Sequence, residues 1–367
     1  VSAFTGVTVD REALIANYAT VAEQVAPAGV VAVVKADAYG HGAVEVARAL
    51  VDAGADWLGV ADLDEAVALR EAGIDEGVRI LAWLHAPDED FRRAARYGIT
   101  PAVSSVEQLS TAADADVPEV HLVVDTGLSR NGAVESEWPE LFATAAALSR
   151  GGDRTRIEGV MSHLSNASRS DDLDQDAALQ RALDGLAAVG IRPDVVHLAA
   201  SAGSLALPET RRDLTRVGLA LYGLSPFPDR TSAELGLRPA MRVTAAVLRT
   251  VAVPAGDGVS YGYTWRAEQD TRLAVIGLGY ADGFDRAYGN HVSVRIGDRR
   301  FPVVGRVAMN AMHIDIGDAD VAIGDEVVLW GDPANGDPAV EEWADAIGTI
   351  NYEVVARVGR SVERRTT

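Results

Sequence analysis

One unit is repeated along the first two thirds of this 367-residue chain, and that repeat constrains the fold more than any other feature. After a helix-like "DREALIANYATVAEQVA", short apolar runs recur as "VVAVVKAD", "DWLGVAD", "RILAWLH", "ITPAVSS", "EVHLVVDT", "IEGVMSHL", "VVHLAAS" and "LTRVGLALYGL". These are eight candidate strands. Between most of them lie stretches with apolar residues at helical spacing, such as "DEAVALREAGI" and "QDAALQRALDGLAAVGI". Most close on a glycine, the residue best suited to end a helix. Eight such alternations predict a (β/α)8 barrel, with a doubly wound open sheet as the competing fold.

The texture changes near Leu237. From "LRPAMRVTAAVLRTVAV" onward, alternating residues are broken by "PAGDG", "IGDRR", "IGDAD" and "WGDPANGDP", turn signals spaced as an all-β unit spaces them. A short helix in "PAVEEWADAIGTINYEVVARVG" precedes a last strand. The chain therefore divides into a barrel domain, residues 1–236, and a β-rich C-terminal domain, residues 237–367. Two domains also suit the length, since single cores stop growing near about 250–300 residues.

Charge and composition narrow the chemistry. With 54 acidic and 33 basic residues the formal charge is -21, which disfavours nucleic acid and anionic membrane as partners. The chain has no cysteine, so disulfides, thiolate catalysis and Cys-based metal sites are excluded. No apolar run reaches spanning length and the N-terminal segment has no signal-like pattern, so the expected location is cytoplasmic. His41, His85, His121, His197, His291 and His313 do not group at metal-ligand spacing on one element, and no metal site is expected.

A barrel carries its chemistry at the carboxyl ends of its strands. Lys35 arrives there at the end of the first strand; Asp125 and Arg130 follow the fifth, His163 the sixth and Ser201 the seventh, while Arg216 and Gly218 belong to the eighth. The turns "ASAGS" and "RVGLALYG" suit a phosphate, whose oxygens are bound by backbone N–H groups that small residues leave accessible. A lysine facing a phosphate site in a dry mouth suggests a Schiff base to pyridoxal phosphate, because burial disfavours the ammonium and frees the amine. The other reading of Lys35 is a structural cation paired with Asp37 or Asp62. Arg216 likewise reads either as a site residue or as the partner of a buried carboxylate.

The segment "AVVKADAYGHG" resembles the cofactor-lysine motif of alanine racemases, and "VDTGLSRNG", "MSHLSNAS", "LAASAGS", "RVGLALYGL", "SYGYTW", "GYADGF", "GRVAMN" and "TINYEVVARVG" resemble that family's other signatures, in order, along nearly the whole chain. The resemblance implies pyridoxal 5'-phosphate on Lys35, with Lys35 as one proton-transfer base and Tyr261, from the second subunit of a head-to-tail homodimer, as the other. Two bases on opposite faces are what racemisation requires. It further implies a phosphate grip of Tyr39, Ser201, Gly218, Tyr352 and the Leu219 N–H. Arg216 would donate to the pyridine nitrogen, His163 and Arg216 would supply the polar network that a tyrosine base needs, and Arg130 would contact the phenolic oxygen. Met309, through its backbone, would hold the substrate carboxylate, with Tyr280 and Arg286 in the substrate corridor.

The sequence departs from the family twice. Where many members carry a carbamylated lysine that steadies the arginine, this chain has Val123, so Arg130 needs another counter-charge: an anion such as chloride, water or a nearby carboxylate. Where the family often has aspartate, Asn310 follows Met309. The implied activity is interconversion of L- and D-alanine, supplying D-alanine for peptidoglycan. Alternatives are a racemase of broader specificity, serine included, and a pyridoxal-phosphate decarboxylase of the same architecture.

Overall fold

The computed structural model describes residues 4–151, 155–359 and 361–367. Each of the eight apolar runs supplies one strand of a closed, all-parallel barrel: β2 (Gly29–Val33), β3 (Trp57–Val60), β4 (Arg79–Ala82), β5 (Ile99–Val103), β6 (Glu119–Val123), β7 (Arg156–Met161), β8 (Val195–Ala200) and β9 (Leu214–Val217). The last strand closes on the first, with Val31 opposite Arg216. An open sheet is thereby ruled out. Apolar runs without alternation are what strands buried on both faces need.

Inside the barrel one side chain from each strand forms an apolar layer: Val31, Trp57, Leu81, Ala102, Val123, Met161, Val195 and Leu214. Outside it, helices start at side-chain caps. Asp62 accepts from the Glu65 N–H, Ser105 from Gln108 and Ser168 from Asp171, each satisfying an N–H that the first helical turn leaves unpaired.

The strand β1 (Thr5–Val9) precedes the barrel in sequence but does not join it. It pairs antiparallel with β10 (Met241–Val253), Thr5 opposite Ala245, and parallel with β18 (Arg364–Thr366). The first strand thus belongs to the second sheet, and the chain crosses into the barrel only afterwards. That sheet also contains β13 (Thr271–Ile276), β14 (Ser293–Ile296), β15 (Arg299–Val304), β16 (Met312–Asp315) and β17 (Glu326–Trp330), in the order β13-β16-β15-β14-β17-β10-β1-β18. The long strand β10 also pairs antiparallel with β13, from Val247 opposite Ile276 to Val253 opposite Thr271 with a register shift between Val247 and Arg249, so the β13 end of the sheet folds back onto β10. A separate small ribbon pairs β11 (Gly258–Val259) with β12 (Trp265–Arg266) and carries the turn holding Tyr261. Among the described residues no helix is long and apolar enough to cross a membrane.

Candidate active site

Lys35 leaves β2 at the carboxyl mouth of the barrel, half-buried, with its amine 5.9 Å from the Trp83 ring centre. Neither alternative partner is used: Asp37 accepts from the Ala43 N–H at 2.8 Å and Asp62 caps a helix. Burial pushes the Lys35 amine below the ordinary lysine value; Arg130 adds to this, Glu65 opposes it and Arg216 adds further. The balance favours a free amine, which is the form that attacks a carbonyl.

The residues after Lys35 form no ordinary loop. Ala36, Asp37, Ala38 and Tyr39 all have φ of 53–54°, so the chain makes one left-handed turn that ends on Gly40 at φ 79°. Each non-glycine residue in that conformation costs roughly 1–2 kcal/mol, and local contacts must offset it. Gly40 is required by proximity as well, since a Cβ there would lie 2.4 Å from the Val355 carbonyl oxygen. The turn delivers Tyr39 toward β9. Its ring lies 4.9 Å from that of Tyr222 and 6.2 Å from that of Tyr352. Its hydroxyl fills the space where a Cβ on Gly218 would stand, 2.3 Å away.

Here the expected phosphate grip comes together. The Gly218 N–H donates to Ser201 Oγ at 3.2 Å, while the Tyr39 and Tyr352 hydroxyls and the Leu219 N–H have no hydrogen-bond partner among the described residues. Polar groups inside a fold are normally paired. Three unpaired donors around a glycine at the end of the last barrel strand fit a phosphate dianion.

Arg216 is buried, and among the described residues it meets no carboxylate. Its Nη1 donates to His197 Nδ1 (3.0 Å) and His197 O (3.1 Å), and its Nη2 to Ser162 O (2.6 Å), His163 Nδ1 (2.9 Å) and Leu198 O (3.1 Å). The Nε–H has no acceptor among the described residues and remains as a donor. Burial lowers the guanidinium to about 9, with Arg130 adding to it. His163 is held well below the ordinary histidine value by burial, then by Arg216, Arg130 and Lys35, so it is neutral and accepts from Arg216.

Behind Arg216 runs a line of groups whose histidines read, from sequence alone, as structural or surface residues. Because His197 Nδ1 accepts from Arg216, its Nε2–H donates to His121 Nδ1 at 2.8 Å, and His121 Nε2–H then faces Glu158 Oε2 at 3.3 Å. Glu158 ends the line in an ion pair with Arg79. Both histidines are completely buried and neutral: burial, Arg79 and Arg216 lower His121 to about 3, while burial, Arg216 and His121 hold His197 well down. No spacing rule joins residues on four strands. The one local signal is Gly159, whose Cβ would stand 2.6 Å from the His121 ring.

Arg130 lies exposed after β6, in a loop where Asp125 Oδ1 accepts from the Gly127 and Ser129 N–H groups. It has no ion pair or hydrogen bond among the described residues, and Val123 is locked in the apolar layer below. Among the described residues no carboxylate therefore serves as its counter-charge.

The remaining residues of the expected site are on the second domain. Tyr261, Tyr280 and Met309 are 67%, 44% and 56% exposed. Their loops are locked together: Ser260 Oγ donates to Arg306 O at 2.7 Å, Tyr280 N to Ala308 O at 3.1 Å and Ala281 N to Met309 O at 2.9 Å. The Met309 N–H has no acceptor among the described residues. Among the described residues no hydrogen bond or ring contact joins Tyr261 to the barrel of its own chain.

Residues 9–226 match the family model described as alanine racemase, N-terminal domain, and residues 240–366 match that of the C-terminal domain. The chain is 44% identical to the alanine racemase of Mycolicibacterium vanbaalenii over 95% of this chain and 90% of that protein. With the Salinispora arenicola alanine racemase the identity is 46%, over 90% of each. Among solved structures, the alanine racemase of D-cycloserine-producing Streptomyces lavendulae superposes with a TM-score of 0.96 at 38% identity, over 100% of this chain and 98% of that one. That of Bartonella henselae, solved with covalently bound pyridoxal phosphate, gives 0.88 at 31% identity over 100% of both.

Proposed function

The chain belongs to the alanine racemase family and its activity is the interconversion of L- and D-alanine; we propose that it works with pyridoxal phosphate on Lys35 and with Lys35 and Tyr261 as the two bases. The observation that carries this reading is the barrel mouth itself. There a half-buried lysine without a carboxylate partner faces three unpaired donors around Gly218 and the free Nε–H of Arg216. Tyr39, Ser201, Gly218, Leu219 and Tyr352 would hold the phosphate, Arg216 the ring nitrogen and Arg130 the phenolic oxygen. When bound, the cofactor supplies an electron sink that acidifies the Cα–H of an attached amino acid.

The protein's own part is to move that proton. Lys35 serves one face of Cα and Tyr261 the other; a single base would return the proton to the face it left. Arg216 only donates hydrogen bonds, so it holds the ring nitrogen without protonating it and keeps the sink weak. Reprotonation at Cα is then fast, and side reactions are suppressed. His163 keeps Arg216 in place by accepting from its Nη2. The Met309 N–H would hold the substrate carboxylate, and Tyr280 would narrow the approach.

Tyr261 is exposed and among the described residues has no hydrogen bond or ring contact to its own barrel, which supports its supply by a second copy in a head-to-tail homodimer with two shared sites. Mixing inactive Lys35→Ala and Tyr261→Ala chains tests the arrangement. Exchange would form heterodimers in which one site has both bases, restoring alanine racemisation, read as loss of circular dichroism from L-alanine with Cα deuterium uptake in deuterated water. Verified heterodimers with no recovered activity would overturn the shared site. A Lys35→Ala chain with full activity would overturn the role of Lys35.

A further inference from the structure

A left-handed turn of four non-glycine residues needs a brace, and the structure shows where it is. One oxygen of Glu65 accepts the Ala36 N–H at 2.6 Å, at the residue that follows Lys35 and opens the turn. The other accepts the Ala61 N–H at 2.9 Å, just past the end of the neighbouring strand β3. A single carboxylate thus ties the Lys35 strand end to the next strand of the barrel. Glu65 is fixed in turn by its helix, Leu63–Glu71, whose Asp62 cap takes the Glu65 N–H at 2.9 Å.

The turn packs through Tyr39 and Gly40 against Tyr222, Tyr352 and Val355, and it is open on the side of Asp37 and Glu65. A cavity of about 490 Å³ lies on that side, lined by Asp37, Glu65, Ala68, Leu69 and Val362 among others. Where side chains do not fill the space, hydrogen bonds set the geometry. Asp37 secures the far end through the Ala43 N–H, and the buried His41 holds the Ala38 and Tyr39 carbonyls through Nδ1 at 3.0 Å. Among the described residues Glu65 is the side chain that hydrogen-bonds the residue next to Lys35, and its negative charge favours a proton on the Lys35 amine against burial, Arg130 and Arg216.

We propose that Glu65 is a positioning residue for Lys35, aiming its amine and supporting its protonated form during proton transfer. The proposal rests on the reading of Lys35 as cofactor lysine and base. In racemisation from one enantiomer the neutral Lys35 amine takes the Cα proton and becomes an ammonium, while Tyr261 gives its phenolic proton to the other face. From the other enantiomer both transfers reverse. Weakening Glu65 therefore slows a step that comes first in one direction and second in the other.

The experiment compares wild type, Glu65→Gln and Glu65→Ala, the glutamine variant keeping size and one acceptor in case the alanine variant folds poorly. In the cofactor-free protein, amide exchange at Ala36 and Ala61 should quicken at least about tenfold, with the β6 and β7 amides unchanged. In the loaded dimer, kcat should fall by roughly 100-fold, the scale of an ångström-level misplacement. The Cα-deuterium isotope effect should grow with one enantiomer of alanine and shrink with the other. A merely structural role would lower stability or cofactor retention and leave both isotope effects where they were. Wild-type exchange at Ala36, or unchanged isotope effects in either folded variant, would overturn the proposal. Borohydride reduction and peptide mapping of the loaded wild type separates the two readings: a label away from Lys35 overturns the cofactor assignment and the catalytic half of the proposal together, and a label on Lys35 leaves the proposal to stand or fall on the isotope effects alone.

Discussion

At the scale of single residues, the site depends on what is missing as much as on what is present. Gly218 lacks the Cβ that would meet the Tyr39 hydroxyl at 2.3 Å, and Tyr39 cannot retreat without unwinding a strained turn. Gly218→Ala should therefore leave the barrel folded but weaken retention of pyridoxal phosphate by roughly tenfold to 100-fold, about 1.4–2.8 kcal/mol, measured by cofactor titration. Unchanged affinity would show that Tyr39 and Gly218 do not share the phosphate. Val123 is missing in another sense, an apolar side chain where a carbamate would sit. With Arg130 unpaired, replacing gluconate by chloride at fixed ionic strength should raise activity saturably, and a Val123→Lys chain should respond less. A flat response in wild type would leave water as the only counter-charge. Most site residues were legible because each is chemically conspicuous at a strand end: a lone lysine, an arginine in an apolar strand, glycines where a phosphate fits. The left-handed turn was not, because alanine, aspartate and tyrosine carry no local preference for it and long-range braces impose it.

At the scale of elements, the strands were readable and their interior traffic was not. Hydrophobic runs report burial on both faces, which is why all eight barrel strands could be found. They say nothing of which polar residues meet across the barrel, so His121 and His197 looked like any buried histidines, and the first strand's pairing with the second sheet left no trace in its short alternation. The line from Arg216 through His197 and His121 to Glu158 crosses β9, β8, β6 and β7. It has one polarity, each neutral ring donating from Nε2, and so it fixes both tautomers. His197→Leu removes an acceptor from a buried guanidinium and a donor from His121. Each orphaned group costs about 1–3 kcal/mol, so the variant should lose roughly 2–5 kcal/mol in urea unfolding. His121→Leu in the same background should add much less than it does alone, because the two act as one network. Additive losses would show that the rings are independent.

At the scale of the whole molecule, two electrostatic effects of opposite sign compete as pH falls. The formal charge of -21 favours acid, since protonating carboxylates relieves repulsion among surface charges. Salt screens repulsion between exposed charges, with a Debye length of about 8 Å at 0.15 M, so the relief is reduced. The buried histidines work the other way and are not screened. Burial lowers His41 and His85 to about 4 and His121 to about 3, from the ordinary histidine value of 6.5. Between these values and 6.5 the unfolded chain binds protons that the folded chain refuses, so stability is complete above 6.5 and is lost as pH drops below it. For His41 alone, a shift of about 2.5 units corresponds to roughly 3 kcal/mol at the acid end of that window. Salt-bridged carboxylates destabilise in acid too, but only near their own lower range. The protein should therefore lose stability from about pH 6.5 downward in 0.15 M salt, read as a falling urea midpoint at fixed protein concentration. His41→Gln, which keeps a donor for the Ala38 and Tyr39 carbonyls but does not titrate, should flatten that slope while costing some stability at neutral pH. A midpoint that held constant from about pH 7 to 5 would mean that the interior accommodates the added protons, and the neutral tautomers inferred for the barrel axis would have to be redrawn.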